Sequence, residues 1–382
     1  MKHIVGVVTA TTHIHQTEPK DSIPAGGNKN INRAIKSHVW DENRVRHEVP
    51  FVTANSVRGL LRRAAASIVL DRINAPVSRQ LFQILTTGKS SRDAIGVAPT
   101  VAALTEASNS PFAGLFGGGP YMLASRYSMA PLFPIVEWCK AFLHPSLRGK
   151  MIPAEQLTAK NKETGNTFDI PLTTQIVLTG RDDFLSGKGE GRVRDYEASF
   201  SAWLQEIGQA AAAKAESKNA AQDARRRGVV IRAEDIEKAK DISTYAFIEA
   251  MLPGTPLQFW LRIKDSATDA QVGMLLEALR EWANQNVLGG ASARGFGRFT
   301  ADLALYDDKV STKEPVVKSV FQEGDGELSY VLHDDVKHYV DAADAALSEV
   351  SEESLLVTFP PAEPGKKKAG KAKDAGKDSD NE

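Results

Sequence analysis

Between residues 245 and 305 the chain reads strand, turn, strand, helix, glycine loop, strand, and that succession constrains the fold more than any other stretch. Residues 245–252 and 257–264 are rich in aromatic and branched side chains and are parted by Pro253-Gly254-Thr255-Pro256, a turn sequence. Thr268 offers an N-cap hydroxyl. Val272, Leu275, Leu276, Leu279 and Trp282 then recur at helical spacing, which gives the next element one apolar face. Nine residues, Gly289-Gly290-Ala291-Ser292-Ala293-Arg294-Gly295-Phe296-Gly297, lead from that helix into a strand over residues 298–305. The pattern predicts an α+β fold.

The nine-residue loop is also the clearest functional candidate. Its four glycines leave backbone amides uncovered and permit positive φ, so a polyanion can approach the main chain. Arg294 and Arg298 add charge, and Phe296 offers a flat face for a base. Gly290, Ser292, Arg294, Gly295, Phe296 and Arg298 are therefore candidate nucleic-acid contacts. Glycine-rich turns between a helix and a strand are common and mostly structural, and the loop on its own reads first as such a connector.

Toward the N-terminus, residues 3–11 alternate and predict a strand, and residues 12–50 predict a long irregular arm. Asn55 or Ser56 is the expected cap of a helix running to about Ile73. Val57, Leu60, Leu61, Ala64 and Ile68 lie on its apolar side, and Arg58, Arg62 and Arg63 on the other. His13 and His15 stand two apart and share a face of any strand, the spacing of a metal pair or an acid–base pair. No cysteine or carboxylate cluster accompanies them, so no metal is expected.

The middle of the chain predicts a short helix at 77–85, a second glycine cluster at 112–120 and a strand-like run at 128–142. Two further runs, 151–160 and 167–179, flank the turn at 162–166 and predict a β-hairpin. A glycine-rich stretch holds Gly187-Lys188-Gly189-Glu190-Gly191-Arg192. Residues 196–240 favour helix but lack large apolar side chains after Ile207, and a further helix is expected at 336–347. From Pro360 onward the chain has no apolar residue beyond alanine and is expected to be disordered.

Charge is uneven. Residues 1–100 hold 14 Lys and Arg against 7 Asp and Glu, a net of +7, and the rest hold 33 against 41, a net of −8. The first quarter therefore supplies the basic track a nucleic-acid binder needs. One cysteine, Cys139, excludes an internal disulfide framework and suits a cytoplasmic location. No apolar run reaches transmembrane length, so no membrane partner is expected. Gly88-Lys89-Ser90 imitates the end of a P-loop, but Gln83 stands at the first glycine position, so nucleotide hydrolysis is not expected. His333-Asp334 reads as a surface turn.

Pro50-Phe51-Val52-Thr53-Ala54-Asn55-Ser56-Val57-Arg58-Gly59-Leu60-Leu61-Arg62 resembles the "IPGSSLKGxLR" helix start of the RAMP superfamily of CRISPR-associated RNA-binding proteins. Ser56 matches the last Ser and Arg58 the Lys, while Thr53 and Ala54 replace Pro and Gly. Leu115-Phe116-Gly117 resembles the family's "LFG" turn, and His13-Ile14-His15 its segment after the first strand. The resemblance implies a modified ferredoxin-like (RRM-like) core with a projecting β-hairpin thumb and a helical insertion. Residues 1–145 and 242–310 would form a discontinuous palm with an irregular arm at 12–50, and 146–194 the thumb hairpin and glycine-rich loop. Residues 195–241 would be the helical insertion, 311–359 a C-terminal helical extension and 360–382 the disordered tail.

Length, arm and hairpin resemble the guide-wrapping backbone subunits, most of all those of type IV effector complexes. The implied partners are crRNA, target DNA or RNA paired to it, copies of the chain in a helical filament, and other effector subunits, with a helicase as one option. No cofactor is implied. The implied RNA contacts are His13, His15, Lys36, Asn55, Ser56, Arg58, Arg62 and Arg63, together with the glycine-loop residues. Ala34-Ile35-Lys36-Ser37-His38-Val39 lies along the family's target-cleaving segment, with Lys36 where the catalytic Asp would stand, so a non-enzymatic role is expected. Two alternatives stay open: target RNA cleavage through Asp41, and guide processing through His13 or His15.

Overall fold

The computed structural model describes residues 1–18, 31–88, 100–119, 121–179, 245–311, 313–324 and 329–358, with a few positions between 194 and 205. Its centre is a four-stranded sheet of β1 (Lys2–Ala10), β5 (Tyr127–Met129), β10 (Pro256–Ile263) and β11 (Phe299–Asp307). The order is β11–β1–β10–β5, and every neighbouring pair is antiparallel. Two strand–helix–strand units interleave to make it. β1 leads through α1 (Ala54–Ile73) to β5, and β10 leads through α5 (Asp269–Gln285) to β11. The architecture is α+β.

Alternation along β1 sends Ile4, Val8 and Ala10 to one face, where they meet the apolar sides of α1 and α5. Trp282 of α5 lies between Phe259 and Phe299, with ring centres 5.7 and 4.6 Å away. Full burial of side chains of this size contributes about 1.5–3 kcal/mol each. As expected, Thr268 caps α5, with a reciprocal bond through Gln271. At the far end Asn286 takes a left-handed conformation, and its Oδ1 accepts from Phe299 N at 2.6 Å, fixing the passage into β11.

Val5 and Tyr306 occupy the other face of the sheet and pack beneath Phe133, Ile135, Trp138, Leu143, Leu147 and Leu157. The sequence predicts a strand over much of this cover, but only Tyr127–Met129 is one. Pro131 and Pro134 cannot donate to a ladder, and Glu137–Phe142 winds into a 3-10 turn. β9 (Tyr245–Met251) is the strand expected at 245–252, and it does not pair with its sequence neighbour β10. It belongs to a three-stranded sheet with β2 (Ile31–Asn32) and β8 (Thr173–Thr179).

The expected irregular arm is likewise corrected in part. β3 (Lys36–Trp40) and β4 (Arg46–Pro50) form an antiparallel hairpin whose Val39 and Val49 are buried. The predicted hairpin at 151–179 is present in shorter form, as β6 (Thr158–Lys160) and β7 (Thr167–Asp169). Four smaller helices, α2 (Arg79–Thr87), α3 (Val101–Asn109), α4 (Ala113–Phe116) and later α7 (Glu352–Thr358), accompany the core. Between β11 and α7 come a hairpin of β12 (Phe321–Glu323) and β13 (Tyr330–Leu332), then α6 (Lys337–Leu347).

The chain divides into two units. One comprises Met1–Pro19, Ala34–Thr174 and Ala250–Glu382; the other comprises Lys20–Arg33 and Gln175–Glu249. All the candidate site residues belong to the first. In the second, Ile31 pairs in parallel with Phe247. The glycine-rich stretch at 187–192, nearly all of the expected insertion at 195–241 and the expected tail at 360–382 lie outside the described residues. Among the described residues no helix is long and apolar enough to cross a membrane.

α5 and α6 cross closely at Gly273, where an added Cβ would overlap the Tyr339 carbonyl and crowd Ala343. Gly273→Ala is expected to destabilise the protein by about 1–3 kcal/mol, read as a lower urea midpoint. Gly149→Ala adds a Cβ that meets nothing and leaves the midpoint in place.

Candidate nucleic-acid interface

Five consecutive residues after β1 fasten together the two stretches singled out in the sequence. On one side, Gly297 N donates to His13 O at 2.8 Å and Gly290 N to His15 O at 2.7 Å. Gly289, at φ 81°, passes so close over the His15 carbonyl that a side chain there would collide with it. On the other side, Gln16 reaches the start of α1. Its Nε2 donates to Thr53 Oγ1 at 2.7 Å, and its Oε1 accepts from Thr53 N at 3.0 Å. Gln16 O also accepts from Ile35 N, and Thr17 bridges Ala34. Glycine loop, helix start and the root of the β3–β4 hairpin thus border one short segment.

The cap of α1 is Thr53, two or three residues ahead of the expected Asn55 or Ser56. Its Oγ1 accepts from Ser56 N at 3.3 Å. Asn55 and Ser56 therefore lie in the first turn, Asn55 exposed and Ser56 half-buried. No acidic residue stands in that turn, so the positive end of the helix dipole is uncompensated by a neighbour. Thr53 and Gln16 were missed in the sequence. Thr53 was legible as a β-hydroxyl just ahead of the helix, whereas nothing local marks Gln16.

The candidate residues separate by exposure. Gly290, Ser292, Arg294 and Gly295 are exposed on the loop, and Arg63 is exposed on α1 with its guanidinium folded back beside Gly59. Among the described residues neither Arg63 nor Arg294 forms an ion pair. Arg58 is half-buried, its guanidinium 5.4 Å from the centre of the Tyr127 ring. Lys36 pairs with Glu48 at 3.3 Å. Arg298 is exposed but donates to Gln285 O and Asn286 O at 3.3 and 3.4 Å, so it serves the C-terminus of α5.

Four expectations are corrected. Arg62 is not on the solvent side of α1: it is 7% exposed, and its guanidinium donates to Leu85 O, Ile84 O and Gly117 O. Phe296 presents no free face, being buried with its ring 6.0 Å from that of His13. His15 is buried, and its Nε2 lies 2.9 Å from Thr17 Oγ1, so the pair with half-buried His13 is not an open acid–base face. The loop amides are also only partly uncovered, since those of Gly290 and Gly297 bond to the His15 and His13 carbonyls.

Asp41 is held inward. Its Oδ1 accepts from Val45 N at 2.7 Å, and its Oδ2 lies 3.4 Å from His47 Nε2. Burial raises its pKa, but the Val45 amide, His47 and the Asn43 amide together bring the carboxyl below its ordinary value. At the opposite end of β1, Trp260 Nε1 donates to His3 Nδ1 at 3.2 Å and His3 Nε2 lies 2.9 Å from Asp308 Oδ2. The neighbouring His144 is brought down to about 4 by burial, helped by His3 and then Arg148 and Arg262, and opposed by Asp308.

No family model matches this chain, and no curated protein does. Among solved structures it is similar to a chain described as "Type IV-B CRISPR Complex". The two share 15% identity over 79% of this chain and 90% of that one, with a TM-score of 0.45.

Two measurements check this geometry. Arg62→Met is expected to cost about 3 kcal/mol, because three buried carbonyls lose a charged donor. Arg63→Met should stay within about 0.5 kcal/mol; paired urea titrations compare them. The His144 value lies below the ordinary histidine range, so between pH 6.5 and 4 the unfolded chain binds the proton more readily than the folded one. Stability should therefore fall as pH is lowered through that window, and His144→Gln should flatten the slope.

Proposed function

We propose that this chain is a guide-RNA-binding backbone subunit of a CRISPR effector ribonucleoprotein, built on a ferredoxin-like RAMP core. The observation that carries the reading is the junction at residues 13–17, which sets the glycine loop and the start of α1 beside one another. The sheet order, with two interleaved strand–helix–strand units, supports a ferredoxin-like core and the RAMP resemblance of the Pro50–Arg62 and Leu115–Gly117 motifs. Arg294 and Ser292 on the loop, Asn55 in the first turn of α1 and Arg63 further along that helix are the exposed groups.

The mechanism is positioning. Guanidinium and main-chain groups hold the phosphates of a single-stranded guide, and base pairing with an invading DNA or RNA supplies the sequence specificity. Several copies assemble along one crRNA beside other effector subunits. Asp41 accepts from Val45 and faces His47, which favours this reading over target cleavage.

The test uses full-length protein. It should purify with RNA, seen as a raised 260/280 nm absorbance ratio. After the RNA is stripped, it should bind fluorescein-labelled single-stranded RNA with an affinity that falls steeply with salt. Arg63→Ala and Arg294→Ala should each weaken binding and lower the log–log salt slope by about one. Nucleic-acid-free material whose anisotropy signal ignores both substitutions would sink the reading.

A further inference from the structure

Trp40 is 62% exposed, although its hairpin is firmly anchored. In the β3–β4 register, Ser37 faces Val49, His38 faces Glu48, Val39 faces His47 and Trp40 faces Arg46. Alternation sends Val39, His47 and Val49 inward and leaves His38, Trp40, Arg46 and Glu48 outside. The inner face is bolted down. His47 stacks on Trp138 at 4.5 Å with the rings 7° from parallel, and its Nδ1 lies 2.8 Å from Asp169 Oδ2. Val39 and Val49 join the same apolar cluster as Trp138.

The charges of the hairpin sort themselves. Glu48 pairs with Lys36 at 3.3 Å, Glu42 pairs with Lys140 at 2.7 Å, and Asp41 faces inward to His47. Among the described residues, Arg44 and Arg46 have no ion-pair partner, and both are exposed. A large aromatic ring on a rigid strand thus faces Arg46 across the ladder, with Arg44 in the adjoining turn. A protein partner of ordinary kind would want a contiguous apolar patch. Here the ring's companions on the outer face are Lys36, His38, Arg46 and Glu48, all polar.

We propose that the outer face of the β3–β4 hairpin is a second contact for single-stranded RNA, with a base stacked on Trp40 and neighbouring phosphates held by Arg44 and Arg46. The choice of RNA as ligand rests on the function proposed above. The chemistry is that of a stacking platform beside cations, tolerant of sequence because every base has a π face.

The experiment measures anisotropy of a fluorescein-labelled single-stranded RNA on full-length Trp40→Ala, Trp40→Phe and the double variant Arg44→Ala/Arg46→Ala at several salt concentrations. Trp40→Ala should weaken binding about tenfold with the salt slope unchanged, while Trp40→Phe keeps most of the affinity. The double variant should lower the slope by about two. If Trp40→Ala binds like the parent while Arg63→Ala and Arg294→Ala are weakened, this contact is refuted and the proposed function survives. If none of these variants is weakened, both fall. Unchanged RNA affinity with an altered sedimentation coefficient for Trp40→Ala would make the face a contact between copies of the chain and overturn the proposal.

Discussion

The buried guanidinium of Arg62 is the constraint on which the candidate interface rests. Its Nε donates to Leu85 O at 2.7 Å, its Nη2 to Ile84 O and its Nη1 to Gly117 O, both at 2.9 Å. Among the described residues no carboxylate pairs with it. Its charge is met by the carbonyls ending α2, where the helix dipole is negative, and by the Phe112 and Phe116 rings at 5.2 and 6.0 Å. Burial lowers its pKa to about 10, which still leaves it charged at neutral pH. Gly88 closes α2 at φ 72°, and a Cβ there would press on the guanidinium. One side chain thereby joins α1, α2 and the turn after α4, so α1 is a fixed platform when Gln16 meets its cap at Thr53.

That clamp also explains where the sequence misleads. Arg58 and Arg62 are four apart and look like one polar stripe, but the packed surface of α1 is wide. Leu61, Ala65, Ala66 and Val69 are all buried, and Arg62 falls among them. Helical spacing identifies neighbours on a surface without saying what covers it. The hint was distant: glycines at 88 and 117–119 mark chain ends that need a donor, and only the fold brings them to residue 62. By contrast, α5 was legible from its Thr268 cap and its apolar face, while its left-handed stop at Asn286 was not read from the sequence.

The central sheet was legible in part. β1 followed from alternation and β10 and β11 from their place around the turn, helix and glycine loop, whereas the run expected at 128–142 supplies the last strand only at Tyr127–Met129, because Pro131 and Pro134 cut it short. The run at 245–251 is the expected strand, and it pairs with β2 and β8 rather than with β10. Strand identity is local, whereas strand pairing depends on neighbours that the sequence of one strand does not name.

Residues 13–17 give the candidate interface its rigidity by using main chain for one neighbour and side chain for the other. The carbonyls of His13 and His15 take the amides of Gly297 and Gly290, while the Gln16 amide takes Thr53. Under the proposed function a phosphate at the glycine loop would meet exposed Arg294 and Ser292, since the Gly290 and Gly297 amides are already bonded. A contact at α1 draws on its open first turn and Arg63 rather than on Arg62. Such contacts fix register without reading bases, since guanidinium and amide meet the same phosphate whatever the sequence. Under the proposed function such contacts would hold guides of any sequence alike, and the bases left open would be read by a second molecule.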